Sequence, residues 1–580
     1  MAPRPLRAPL LARLLCLLGL FALCLPAQVA RAAGDAAAQA AASQKVRLTL
    51  LGTTDIHGHI MPVDYYADTP ANLGLAKIAT LVRQIRAAEP HVLLLDAGDT
   101  IQGTPLAYQF ARRDTSKPNP TIAMMNAMGY DAMACGNHEF NFGLEVLWKA
   151  KREAKFPFLA ANLRQKYKGG VAYFRPYIIK NVAGVRVGIV GFITPGVPRW
   201  ELPENYRGYQ FEPIVEAAKR VIPDVRKRVD LVVVIAHSGL GPDPETGQAG
   251  PADEIAGENA MIALAEQVPG IDVILFGHTH LELSERFIHG ALLVQPKNWG
   301  GSLARVEVQM ERDAQGRWRV AAKHSATLRV TEEVRPDPEI LSLAEPYERA
   351  TQEALSRPVA SSAAALDGLT ARYEDHPLVD LIHKVQMEYG RADVSLATMF
   401  YPGARIPAGK VTVRQIAALY LYENTLYTVE MSGAQLKEAL EHAASFFPAW
   451  PFPPGEPPRL PGYNADSAEG VSYVMDLSQP VGQRIRELRF KGKPLEPAAT
   501  LRVAINNYRY SGGGRYDVFK GLPIVYRSPQ EVRELIIEYV TRTGTIPTTA
   551  DGNWHIEPTE ARAALLREAR AREGSPGGTR

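Results

Sequence analysis

Cysteine is almost missing from this chain. It has three in 580 residues, and two of them, Cys16 and Cys24, fall in the segment that precedes the globular sequence. With Cys135 left alone, no intrachain disulfide can form, so stability has to come from burial of apolar surface. Cys135 itself closes an apolar strand, where a small thiol packs like any hydrophobe. An excess of either charge is missing too. The formal net charge is +3, but Arg4, Arg7, Arg13 and Arg31 stand at the N-terminus with no acid among them, and setting those four aside takes the remainder to about −1. That balance excludes an electrostatic grip on nucleic acid or on a membrane surface. Beyond Leu25 no stretch is long and apolar enough to span a bilayer, and there are no internal repeats.

What is present begins with a basic N-terminus, an apolar run from Leu10 to Leu25 and then Ala30-Arg31-Ala32. This is the order of a secretory signal, with cleavage expected after Ala32. Pro26 and the small-residue site argue against an anchor, and Leu23 is too large to precede a lipidated Cys24. The expectation is a periplasmic or secreted protein without stable membrane association.

The length calls for two domains. From Val46, strands (48–51, 92–95, 185–190, 231–235, 271–276) alternate with helices (74–88, 142–154, 214–228, 259–267), the pattern of an α/β domain over 46–330. The pattern breaks at Arg335-Pro-Asp-Pro, and 336–357 reads as an exposed linker helix. A second mixed domain follows over 359–556, with helices at 377–389 and 435–444, strands at 427–431 and 502–505, and a Pro-rich loop at 446–461. An Ala/Arg/Glu helix of surface type and a disordered tail fill 557–580.

Five polar clusters each follow an apolar strand or close one: Asp55-Ile-His57, Asp96-Ala-Gly-Asp99, Gly136-Asn137-His138-Glu139, His237-Ser-Gly and Gly277-His278-Thr-His280. In α/β domains chemistry gathers at the C-terminal ends of strands. Any one of these side chains alone is more often structural than functional. The ordered series reverses those odds, because carboxylates, an amide oxygen and imidazoles together suit two divalent metals that hydrolyse a phosphate ester. The mixed oxygen and nitrogen set fits Mn²⁺, Co²⁺, Zn²⁺ or Fe²⁺.

The same series resembles that of the calcineurin-like metallophosphoesterases. Over 46–555 the chain resembles the bacterial 5′-nucleotidase and 2′,3′-cyclic-nucleotide phosphodiesterase/3′-nucleotidase family, and Val63-Asp-Tyr-Tyr66, Leu419-Tyr-Leu-Tyr-Glu-Asn424 and Asn506-Asn-Tyr-Arg509 look closer to the cyclic phosphodiesterase branch. The resemblance implies a four-layer αββα first domain and an α/β (α+β) substrate-binding second domain. It implies Asp55, His57, Asp99 and His280 on one metal, with Asp99 as the bridge and Asn137, His237 and His278 on the other. His138 would stand over the phosphate as a catalytic cation or acid, supported by Asn141 where 5′-nucleotidases carry an Asp.

The resemblance also implies that Tyr422 and Tyr508 sandwich the base, with Asn424 beside the first ring. The segment Ser511-Gly-Gly-Gly514 suits a turn that comes close to a ligand. The second-domain arginines that grip phosphate in 5′-nucleotidases are lacking from Asp375-His-Pro-Leu-Val-Asp380, and Arg405 is the candidate substitute. The expected activity is hydrolysis of 2′,3′-cyclic nucleotides and 3′-nucleotides by a monomer acting on small-molecule nucleotides, with hinge rotation carrying the nucleoside between domains. The rival readings are a broad 5′-nucleotidase or UDP-sugar hydrolase, a thiosulfate-cleaving relative, and a nucleotide-binding surface protein with a vestigial centre. The last would have lost ligands, and none is lost here.

Overall fold

The structure, a computed structural model, describes residues 45–242, 255–313, 315–453 and 462–572. The signal segment, the second half of the Pro-rich loop and the extreme C-terminal tail lie outside the described residues.

Two six-stranded sheets pack face to face in the first domain. One runs, in spatial order, Trp318–Arg329, Ser302–Arg312, Lys45–Thr53, Val92–Asp96, Ala132–Ala134 and Phe158–Leu159. The other runs Leu283–Ile288, Ala291–Gln295, Val273–Phe276, Leu231–His237, Val185–Ile193 and Tyr177–Val182. The central strands are parallel, with Thr53 beside Asp96 and His237 beside Ile193, so their C-terminal ends share one edge. Alternation with period two sorts their side chains. Leu48, Leu50, Leu93 and Leu95 meet Val187, Val233, Ile235 and Leu275 between the sheets. The opposite faces of the same strands, Leu51 and Leu94 on one sheet and Val190, Val232 and Val234 on the other, are covered by helices. The result is the expected αββα stack.

The linker helix Pro338–Ser356 starts where Asp337 accepts hydrogen bonds from the Glu339 and Ile340 amides, with proline at the first helical position. It is less exposed than its sequence suggests. Ile340, Ala344, Thr351 and Leu355 are buried at intervals of four, seven and four, and Ile340, Ala344 and Leu355 join the first domain's core.

In the second domain a five-stranded sheet runs Ser467–Glu469, Val394–Ala397, Thr500–Asn506, Thr425–Ser432 and Ile524–Glu531. Helices Pro377–Gly390 and Val532–Thr543 cover one face, and Gly433–Ala444 covers the other. The terminal helix Thr559–Arg572 is not of surface type. Ala561, Leu565 and Ala569 are buried one turn apart, and the first two enter the core that holds Trp554 and Ile556. Three small or medium residues among many charges leave little amphipathic signal, yet they make a sufficient stripe at helical spacing.

Candidate metal centre

The strand ends that share one edge bring all five polar clusters together. Asp55 and His57 leave Lys45–Thr53, Asp99 follows Val92–Asp96, Asn137 and His138 follow Ala132–Ala134, His237 ends its strand, and His278 and His280 follow Val273–Phe276. Ligand atoms of Asp55, His57 and His280 lie within 4.8 Å of one another, as do those of Asp99, His237 and His278. His280 Nε2 is 3.5 Å from Asp55 Oδ1, His57 Nε2 is 3.9 Å from Asp99 Oδ2, and His237 Nε2 is 2.8 Å from the same oxygen. Asp99 thus stands between both groups.

The backbone is bent to achieve this. Asp55, His57, Asp99, His278 and His280 have φ of 49°, 48°, 58°, 83° and 57°. Left-handed backbone in a residue with a side chain costs on the order of 1–3 kcal/mol and persists only where its surroundings dictate it. Cross-loop bonds do so here, from Asp55 N to Gly98 O at 2.8 Å and from His57 N to Asp99 O at 2.9 Å. Glu139, fully buried, accepts from four backbone amides: Asp99 and Gly136 on one oxygen, Thr100 and Ile101 on the other, at 2.6–3.2 Å. It ties the Asp99 loop to the Asn137 loop. The two loops approach so closely that a Cβ on Gly136 would lie 2.2 Å from Asp99 Oδ1.

The residues fit a metal pair. Nδ1 of His57 faces Gln102 O at 3.1 Å and Nδ1 of His237 faces Ala97 O at 2.9 Å, which puts the proton there and leaves each Nε2 for a cation. Asn137 Oδ1 is buried without a hydrogen-bond partner, and His237 Nε2 has Asp99 Oδ2 at 2.8 Å beside it. An orphaned buried acceptor next to a carboxylate–imidazole pair is what a bound cation would satisfy. Charge is concentrated there as well. Burial works against the Asp99 and Asp55 carboxylates, yet the surrounding imidazoles hold both below the usual range. Burial drives His57 down to about 3, whereas His237, equally buried, is pushed up to about 10 by Asp99 and Asp55.

A cavity of about 690 Å³ opens from the centre toward the second domain, within the usual size of small-molecule sites. Asn137, His138, Asn141 and His278 line one side, and Tyr422, Asn424 and Tyr508 line the other. Tyr422 is 43% exposed and meets Phe400 edge-on at 5.1 Å. Tyr508 lies against the glycine turn, where a Cβ on Gly513 would fall 2.4 Å from its ring, so this glycine lets the ring lie flat on the backbone. Arg405 is not among the lining residues. It sits on the short strand Arg405–Ile406, with its guanidinium on the carbonyls of Pro402 and Ala404 at 3.2 and 3.1 Å. The arginines that do line the cavity, Arg112 and Arg113, come from the first domain and face Glu531 and Glu534.

Sequence reasoning missed Phe400, Tyr463, Trp200, Glu201 and Glu258, which also line the cavity. Glu258 Oε1 is 3.1 Å from His278 Nε2, and Trp200 lies against the same imidazole at 5.5 Å. None carries a motif. His59, read as structural, stacks on Trp299 at 4.9 Å, and Cys135 is buried with its thiol pushed up by burial.

A profile of the calcineurin-like phosphoesterases matches residues 48–282, and one of the 5′-nucleotidase C-terminal domain matches 358–521. The 2′,3′-cyclic-nucleotide 2′-phosphodiesterase/3′-nucleotidase of Salmonella typhimurium is 31% identical over 595 residues, covering 90% of this chain and 90% of that protein. The chain belongs to this family of metal-dependent hydrolases. The trifunctional nucleotide phosphoesterase YfkN of Bacillus subtilis is also 31% identical to this phosphoesterase over 588 residues, and the chain spans 90% of itself but 40% of that longer protein. Among solved structures, the 5′-nucleotidase precursor of Thermus thermophilus superposes with a TM-score of 0.63 at 26% identity, covering 88% of this chain and all of that one. Among the described residues no helix is long and apolar enough to cross a membrane.

Proposed function

We propose that the enzyme opens 2′,3′-cyclic nucleotides and removes the phosphate of the resulting 3′-nucleotides, outside the cytoplasm, and that it acts as a monomer. One observation carries this reading. Asn137 and His278 of the metal-ligand cluster, His138 and the rings of Tyr422 and Tyr508 line one cavity between the domains. A nucleoside held by its base between two rings sends its ribose phosphate toward Asp99 and His138.

When bound, a metal pair in this cradle supplies Lewis acidity and activates water near neutral pH. Asp55, His57, Asp99 and His280 would hold one ion. Asp99, Asn137, His237 and His278 would hold the other. The His138 ring lines the cavity with Nε2 3.9 Å from Asp99 Oδ2, where it can stabilise charge on the phosphate oxygens or give a proton to the leaving ribose oxygen. Asn424 and the two tyrosines orient the nucleoside. Residues from both domains line this one cavity, and release of the nucleoside requires the domains to part.

The cavity arginines already face carboxylates, which counts against a dedicated clamp for a 5′-phosphate. Purified protein with Mn²⁺ should turn over 2′,3′-cyclic AMP and 3′-AMP with higher kcat/KM than 5′-AMP. A preference for the 5′ ester would place the enzyme with the 5′-nucleotidases instead. N-terminal sequencing of protein exported by its own leader should begin at Ala33.

A further inference from the structure

Asn141 and His138 belong to a chain of hydrogen bonds that continues away from the metal cradle. His138 Nδ1 is 2.5 Å from Asn141 Oδ1. Asn141 Nδ2 donates to Glu201 Oε1, and Asn205 Nδ2 donates to Glu201 Oε2 at 2.7 Å. Glu201 follows the short helix Val197–Trp200, and all four residues line the cavity.

An asparagine amide has two ends of equal size and opposite hydrogen-bonding character, so its orientation is set by what surrounds it. Both oxygens of Glu201 accept from amide nitrogens, so Asn141 must present NH₂ to Glu201 and its oxygen to His138. An oxygen at that point accepts from Nδ1–H of His138, in the neutral ring and in the imidazolium alike, and leaves Nε2 toward the cavity to carry the second proton. With the amide reversed, NH₂ would face Nδ1 and the tautomer would reverse too.

We propose that Glu201 is a positioning residue for His138, acting through Asn141: it fixes the amide so that this asparagine presents an oxygen to the imidazole, as a carboxylate at the same place would do unaided. The proposal rests on the reading that His138 works at the phosphate. Its test uses bis(p-nitrophenyl) phosphate, a diester with no nucleoside, so that it does not depend on which nucleotide is preferred.

Four proteins are compared with Mn²⁺: the natural sequence, Glu201→Gln, Asn141→Asp and the double variant. Glutamine must offer NH₂ to one of the two asparagines, so Glu201→Gln should lower kcat by about tenfold or more, with KM and metal content within about twofold. In the Asn141→Asp background the same change should raise kcat, because aspartate has an oxygen at either end and faces a like charge across the contact. The same fold-loss in both backgrounds would mean that Glu201 only braces its loop, and no loss in the natural background would mean that it does not act on Asn141; either result overturns the proposal. Nitrogen-15 spectra of the imidazoles give an arm independent of turnover. Nδ1 of His138 should carry the proton in the natural protein and share it with Nε2 in Glu201→Gln, and an unchanged tautomer would overturn the proposal. If none of the four proteins cleaves the diester, the function proposed above fails, while the spectra still decide the role of Glu201.

Discussion

At the scale of single residues, Glu139 is the clearest case of a polar side chain that holds the metal cradle without belonging to it. Four buried amides depend on its two oxygens, and burial beside Asp99 raises its pKa above the usual range. Removing an acceptor that serves several buried donors costs roughly 3–5 kcal/mol. Glu139→Ala should therefore lower the melting temperature and weaken metal binding together, as read by calorimetry with and without Mn²⁺. A loss of metal without a loss of stability would contradict this role. The ligands were legible in the sequence because each stands at the end of an apolar strand and parallel strands end together. Glu201 and Glu258 were not, because they lie on loops far from any motif and reach the site only through the fold. The left-handed backbone at five ligand positions was hidden as well, since none of the five is glycine.

At the scale of elements, helix Pro377–Gly390 carries a buried titratable group that the reaction does not use. His383, 1% exposed, has Nδ1 3.0 Å from Ser395 Oγ and Nε2 3.1 Å from Ser467 Oγ, and burial drives it from 6.5 down to about 3. A folded-state pKa below the unfolded one means that the unfolded chain binds the proton first. Stability is therefore full above pH 6.5 and is lost as pH falls toward 3. That loss amounts to roughly 5 kcal/mol. Denaturant melts from pH 7.5 to 4.5 should show the decline, and His383→Gln should flatten it at the cost of some stability at neutral pH. An identical acid limb in both proteins would remove His383 from the account. Element positions were readable to within a few residues wherever apolar periodicity was strong, as in the strands that position the ligands. The two helices read as exposed, Pro338–Ser356 and Thr559–Arg572, were misjudged for one reason: stripes in which alanine and threonine alternate with single isoleucine or leucine residues bury a helix face without much apolar signal.

At the scale of the whole molecule, the domains meet through polar contacts and through apolar side chains such as Tyr66 and Leu202 of the first packed on cores of the second. Arg199 of the first reaches Gly512 O at 2.6 Å and Asp517 Oδ1 at 3.1 Å in the second, and Arg414 of the second reaches Tyr65 O at 2.5 Å. Contacts of this kind are compatible with opening. The scarcity of cysteine offers a direct test, because Cys135 is buried and would not compete for a thiol reagent. With Arg199→Cys and Asp517→Cys joined by a cleavable bismaleimide, turnover should fall by at least about tenfold and return when the linker is cut. Full activity in fully cross-linked protein would show that turnover needs no parting of the domains.

The central claim is that seven side chains hold two divalent ions, with Asp99 shared between them and His138 outside the set. Elemental analysis of purified protein, paired with phosphodiesterase assays, tests it most directly. The expected result is two metal equivalents per natural chain, loss of both metal and activity in Asp99→Ala, and retained metal with kcat lowered by about 10²–10⁴ in His138→Ala. Full activity in exhaustively chelated protein, or metal content unaffected by Asp99→Ala, would contradict it.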